Sequence, residues 1–95
     1  MQFFVYILYS EKFDKHYIGQ TDSIHTRIKR HNLGTEKSTK PYRPWILLWN
    51  STKSSRSEAL ELEKKLKNLS KERLRLFIQK YKSAGPDVAA GKSGC

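Results

Sequence analysis

Hydrophobic and polar positions divide the chain into short segments of two different periods. Residues 3–9, FFVYILY, are apolar without interruption and rich in aromatic and β-branched side chains. This suits a strand covered on both faces and therefore central in its sheet. Alternation places Phe4, Tyr6 and Leu8 on one face and Phe3, Val5, Ile7 and Tyr9 on the other. Ser10 to Lys15 is polar, as a hairpin loop would be, and His16 to Gln20 predicts a short second strand. Gly19 near its end permits a close approach of backbone or ligand.

The period then changes. Thr21, Asp22 and Ser23 are cap-type residues ahead of Ile24 and Ile28, whose spacing marks one helix face. On that helix Arg27 and His31 fall on or beside the inward face, and His25, Lys29 and Arg30 point outward. Asn32, Leu33 and Gly34 end it. Thr35 to Pro44 has no apolar periodicity and predicts a basic loop. Trp45 to Trp49, WILLW, predicts a third strand, and Ser51 to Ser55 a turn. Ser55 and Glu58 match a capping box. Ala59, Leu62, Leu66 and Leu69 follow as a helical stripe. Ser70 caps a last helix with Leu74, Phe77, Ile78 and Tyr81 as its apolar set. Residues 83–95, SAGPDVAAGKSGC, are small and without a stripe, and predict a disordered tail. The order β-β-α-β-α-α implies an α+β fold of one domain over residues 1–82, a small three-stranded antiparallel sheet flanked by helices.

Composition adds a partner. The 95 residues carry 19 Lys and Arg against 9 Asp and Glu, a net charge of +10. Such an excess attracts polyanions, nucleic acid first. The lone cysteine, Cys95, excludes an intrachain disulfide, and no apolar run reaches the roughly 20 residues that span a bilayer. These features set the cytoplasm as the expected compartment and exclude a membrane partner.

Few residues are candidates for chemistry. Glu63 borders the buried stripe of its helix, where a carboxylate is costly unless paired, hydrogen-bonded or bound to a metal. Pairing with Arg27 is one solution and a functional role another. Tyr6 and Tyr17 stand eleven residues apart, at positions where tyrosine also serves as ordinary half-buried packing. Arg27 and His31 could likewise cover a sheet edge with stem and ring. Lys37, Lys40 and Arg43, interleaved with Tyr42 and Trp45, resemble surfaces that track a nucleic-acid backbone, and equally an ordinary solvated loop. No Cys/His cluster and no glycine-rich phosphate loop is present.

As an ordered set these residues resemble the GIY-YIG nuclease superfamily. Its first signature corresponds to Phe4-Val5-Tyr6, with Phe4 in place of glycine, and the second is intact as Tyr17-Ile18-Gly19. Arg27, His31 and Glu63 follow in the family's order, and the match covers roughly residues 2 to 80, similar to the small single-domain members. Gln20 stands where some repair members carry lysine, and the family's late asparagine has no clear counterpart. The resemblance implies three antiparallel strands with flanking helices and metal-dependent hydrolysis of phosphodiester bonds, most simply in DNA. It implies Glu63 as the protein ligand of one Mg²⁺ or Mn²⁺ ion and Tyr17 as general base. Tyr6 would orient the attacking water, Arg27 would stabilise phosphate charge, and His31 would assist by hydrogen bonding. An ordinary phenol, with a pKa of about 10, is only about 0.1 % ionised at pH 7, so activity rising toward alkaline pH is expected of such a base. The rival expectation is a binding module of the same fold that turns over slowly or not at all.

Overall fold

The computed structural model describes residues 2–81. The expected tail and residues 1 and 82 lie outside them. The elements run β1 (Phe3–Ser10), β2 (Lys15–Thr21), α1 (Ile24–Leu33), a 3-10 turn (Lys40–Tyr42), β3 (Ile46–Lys53), α2 (Arg56–Lys67) and α3 (Lys71–Lys80). The sheet is antiparallel with order β2-β1-β3, so the continuous apolar run is indeed the central strand. The fold is α+β, with the element order that periodicity implied.

Beyond shifts of one residue at the ends of β1 and β2, two features differ from expectation. β3 runs to Lys53, through the residues expected to form a turn, while Trp45 precedes it. The polar half, Asn50 to Lys53, is extended because β1 offers it partners: Tyr6 faces Asn50, Val5 faces Ser51 and Phe3 faces Lys53. Main-chain pairing thus overrides a side-chain pattern that carries no strand signal. The register shifts between Ile7, opposite Trp49, and Leu8, opposite Leu47, leaving Leu48 as the extra residue of a bulge. The second difference is that the basic loop contains the 3-10 turn.

The sheet lies between helices, with a core on each face. Val5, Ile7, Ile18 and Trp49 pack against Ala59, Leu66 and Leu74 of α2 and α3. Tyr6, Leu8 and Trp45 form the other core, closed by Ile24 and Ile28 of α1 together with Tyr17 and Tyr42. Strand alternation therefore determines which side chains of β1 meet which helix.

Local chemistry sets the helix ends. Ser55 and Ser70 each accept a main-chain N–H three residues on, from Glu58 and Arg73. The Glu58 carboxylate reaches back to the hydroxyls of Ser54 and Ser55, which hold it below the usual carboxylate range. At α1, Ser23 is the N-cap, yet its hydroxyl bonds Thr26 Oγ1 rather than the backbone. Gly34 closes α1 at φ 81°, a left-handed conformation that glycine adopts without a Cβ clash. The hairpin turn is tied to α3 through Asp14, which receives Lys71, Arg75 and the Tyr9 hydroxyl.

Candidate active site

Tyr6 stands in the middle of β1, opposite Gly19 of β2, and Leu8 stands opposite Tyr17. Tyr6, Tyr17 and Gly19 therefore share the face covered by α1. Gly19 is needed there: a Cβ at this position would lie 2.7 Å from the Tyr6 hydroxyl and 3.1 Å from the Tyr17 ring. The glycine of the Tyr17-Ile18-Gly19 motif is thus the space that lets the Tyr6 phenol lie across β2.

His31 comes from the last turn of α1 and meets both tyrosines. Its ring centroid is 4.8 Å from that of Tyr17 and 6.1 Å from that of Tyr6, and the tyrosine rings are 6.2 Å apart. Nε2 of His31 lies 3.1 Å from the Tyr6 hydroxyl. Tyr6 and His31 are each 1 % exposed, so neither ring reaches bulk solvent. Burial, aided by the neighbouring Tyr17, pushes the Tyr6 phenol above its ordinary range, while Arg27 opposes the shift. Burial also lowers His31 below the usual imidazole value, which keeps it neutral at pH 7. Tyr17 is half-buried, and of the two tyrosines it is the more accessible.

Arg27 and Glu63 approach this trio from opposite faces of the sheet. Both charges act on the Tyr6 hydroxyl. Arg27 lies one turn before His31 on α1, is half-buried, and takes no ion pair among the described residues. Glu63 belongs to α2, on the hydrocarbon side, and meets the edge strand β2. Its Oε1 accepts from Gln20 Nε2 at 3.0 Å and its Oε2 faces Lys67 Nζ at 2.7 Å. The partly buried carboxylate is therefore satisfied by an amide and a lysine, not by Arg27.

No group of three or more His, Cys, Asp or Glu side chains gathers for a metal among the described residues. What the site offers is one carboxylate, with 13 % of its side chain exposed, and beside it the Oε1 of Gln20, buried and without a hydrogen-bond partner. An all-oxygen set with few protein donors suits Mg²⁺ or Mn²⁺, which retain much of their water shell. The oxygen donors present are of the kind such an ion takes.

The basic loop turns its cations away from this cluster, to the surface. Lys37, Lys40 and Arg43 are all exposed. Arg43 donates through Nε to the Lys40 carbonyl and rests on Gly34. Lys40, Pro41, Arg43, Pro44 and Asn32 line an open depression of about 550 Å³. The inside of the same loop is pinned: Asn32 accepts from Trp45 N and donates to Trp45 O, and the Trp45 indole donates to the Thr39 carbonyl. Thr39 in turn lies 2.9 Å from His31 Nδ1. Thr39 and Lys67 escape sequence reasoning, because a threonine in a polar loop and a lysine on a charged helix carry no signal of their own. Gln20 stood out only as a departure from a family pattern.

Comparison with known proteins accords with this geometry. The chain is 33 % identical over 69 residues to the UPF0213 protein YazA of Bacillus subtilis (strain 168), covering 72 % of this chain and 70 % of that one. It is 36 % identical over 64 residues to the UPF0213 protein SH2523 of Staphylococcus haemolyticus (strain JCSC1435), covering 66 % and 78 %. The solution NMR structure of the UPF0213 protein BH0048 from Bacillus halodurans superposes with a TM-score of 0.58 at 28 % identity, over 90 % of each chain. Residues 2–82 match the model of the GIY-YIG catalytic domain, nearly the whole span that carries the sheet, its helices and the two tyrosines, and on that match the chain belongs to the GIY-YIG family.

Proposed function

We propose that the protein is a metal-dependent endonuclease that hydrolyses phosphodiester bonds in DNA in the cytoplasm. The observation that carries this reading is Arg27. A half-buried arginine whose charge reaches Tyr6 and His31, with a carboxylate nearby that bonds other groups instead, is a cation kept for an anion from outside. A phosphodiester is such an anion, and the family is one of nucleases.

In this reading Tyr17 is the general base, since of the two tyrosines it is the more accessible. Arg27 stabilises the charge that grows on the phosphate. Tyr6 and His31 are the support behind Tyr17. The water-orienting role that the resemblance suggested for Tyr6 gives way to one of support, because its hydroxyl is buried and turned to His31. Glu63 holds Mg²⁺ or Mn²⁺, which when bound supplies Lewis-acid polarisation of the phosphate. Lys37, Lys40 and Arg43 take the flanking phosphates through charge rather than base contacts. The second reading, a binding module with weak turnover, draws on the fact that both Glu63 oxygens are already engaged.

Cleavage of labelled duplex, single-stranded and branched DNA, with RNA as comparison, tests the proposal in Mg²⁺, Mn²⁺ or EDTA. Glu63→Ala and Tyr17→Phe are expected to lower the rate on the order of 10³-fold while leaving salt-sensitive binding in place. Tight binding without metal-dependent cleavage of any substrate would establish the binding module instead.

A further inference from the structure

Thr39 sits in the polar, basic stretch between α1 and β3, yet its side chain is inside, 1 % exposed. Its main chain is fixed by the Trp45 indole, which donates to its carbonyl at 2.9 Å. Its hydroxyl lies 2.9 Å from His31 Nδ1 and 3.3 Å from the Glu36 carbonyl. On the far side of the same imidazole, Nε2 lies 3.1 Å from the Tyr6 hydroxyl. The result is a buried file of groups that runs from the loop to the tyrosine pair.

The file can be wired in two ways. In the first, Thr39 donates to the Glu36 carbonyl, His31 Nδ1–H donates to Thr39, and Tyr6 O–H donates to His31 Nε2. Every hydrogen then has an acceptor. In the second, Thr39 donates to Nδ1 and Nε2–H donates to Tyr6. The Tyr6 phenol proton then has no acceptor among the described residues, on a residue only 1 % exposed. A buried unpaired donor costs about 1–3 kcal/mol, so the first wiring prevails.

We propose that Thr39 is a positioning residue that holds His31 as the Nδ1–H tautomer, so that Nε2 receives the Tyr6 proton and both rings are fixed behind Tyr17. The catalytic consequence rests on the nuclease reading; the tautomer does not. Without the Thr39 hydroxyl the Nδ1–H becomes a buried donor with no acceptor among the described residues, a cost comparable to that of an unpaired Tyr6 proton, so the preference for Nδ1–H is offset and the Nε2–H form, which turns a donor toward Tyr6, gains population. The Tyr17 ring, packed on His31 at 4.8 Å, then loses its fixed backing.

Nitrogen-15 NMR of the His31 side chain in the full-length protein at pH 7.5, with Thr39→Val and Thr39→Ser, provides the test. The expected wild-type spectrum has a protonated Nδ1 and an unprotonated Nε2. Thr39→Val, close to isosteric, is expected to give mixed or Nε2–H tautomer and to lower kcat about tenfold with KM within about twofold. Thr39→Ser is expected to restore both. A wild-type Nε2–H tautomer, or an unchanged Nδ1–H tautomer in Thr39→Val, overturns the proposal. Absence of cleavage by the wild type would count against the nuclease reading alone, since the tautomer is read without substrate.

Discussion

The two faces of the sheet share three strands and differ in what they bury. Toward α2 and α3 the core is hydrocarbon: Val5, Ile7, Ile18, Ala59, Leu66 and Leu74, with Trp49 as its largest member. Toward α1 it is Tyr6, Leu8 and Trp45, laced by His31 and Thr39, and the rings of Tyr6, His31 and Trp45 each bear a polar atom with a named partner. Burial of apolar area is non-directional and tolerates small shifts, whereas a hydrogen-bonded face holds its groups in one arrangement. The first face therefore mainly stabilises the fold, and the second mainly orients the groups that would do chemistry.

The largest expected effect separates the two. Leu66 is 1 % exposed and its removal leaves a cavity in the hydrocarbon face. Leu66→Ala is expected to cost about 2–5 kcal/mol in urea unfolding. Cleavage per folded molecule should remain close to wild type, measured at low temperature where the variant is still folded. A rate loss beyond the unfolded fraction would mean that the faces are coupled through the sheet.

Gly19→Ala probes the other face. The added methyl meets the Tyr6 hydroxyl at 2.7 Å and its ring carbon at 2.9 Å, and Tyr6 cannot retreat without leaving His31. The expected cost is about 1–3 kcal/mol, with a rate loss larger than that stability change explains. Tyr6→Phe removes the atom in closest contact, so the double variant should be less impaired than the two single effects predict together. Strict additivity in that cycle would show that the tyrosine hydroxyl is not what the glycine accommodates.

Acid should act through the hydrogen-bonded face. Burial lowers His31 in the folded protein from an ordinary value of 6.5, while the unfolded chain binds a proton near that value. Between the two the unfolded state holds more protons, so stability is full above pH 6.5 and falls as pH drops below it, levelling off below the folded value. His16, also lowered by burial, adds a slope of the same sign. Urea midpoints from pH 7.5 to 5 are expected to decline, less steeply in His31→Gln and in His16→Asn. An unchanged slope in His31→Gln would show that the imidazole contributes nothing to the acid response.

Sequence periodicity disclosed most of the hydrocarbon face and little of the other. Ala59, Leu62, Leu66 and Leu69 announce their burial by spacing, and Ser55 and Ser70 announce the helix starts, because both signals are local. The extension of β3 through Asn50 to Lys53 was not legible, since its cause is a neighbouring strand. In the site, Tyr6, Tyr17, Arg27, His31 and Glu63 could be named, and the inward direction of His31 followed from helix geometry. Their connections could not. That Glu63 bonds Gln20 and Lys67 while Arg27 has no ion pair among the described residues depends on where an edge strand passes. Thr39 depends on a loop whose interior is set by Asn32 and Trp45.

Glu63 belongs to both faces, and the smallest effect follows from that. Its helix lies on the hydrocarbon side, but its charge reaches Tyr6 on the other, so a metal held there would stand at the β2 edge where the faces meet. Lys67 Nζ now occupies Oε2 at 2.7 Å, with 55 % of the lysine side chain exposed. An i,i+4 helix pair whose lysine is largely in solvent is worth only about 0.3–0.5 kcal/mol, so it competes weakly with a divalent cation. Lys67→Ala is accordingly expected to tighten Mn²⁺ binding by about twofold, read by EPR titration at constant ionic strength, and to leave urea stability nearly unchanged. Gln20 should act in the opposite sense, because its unpaired Oε1 is the neighbouring oxygen that could face a cation once the amide turns. Gln20→Met is therefore expected to weaken Mn²⁺ binding. If both substitutions left the affinity unchanged, the ion would have to sit away from the Glu63 carboxylate, and the edge of β2 would lose its claim to join the two faces.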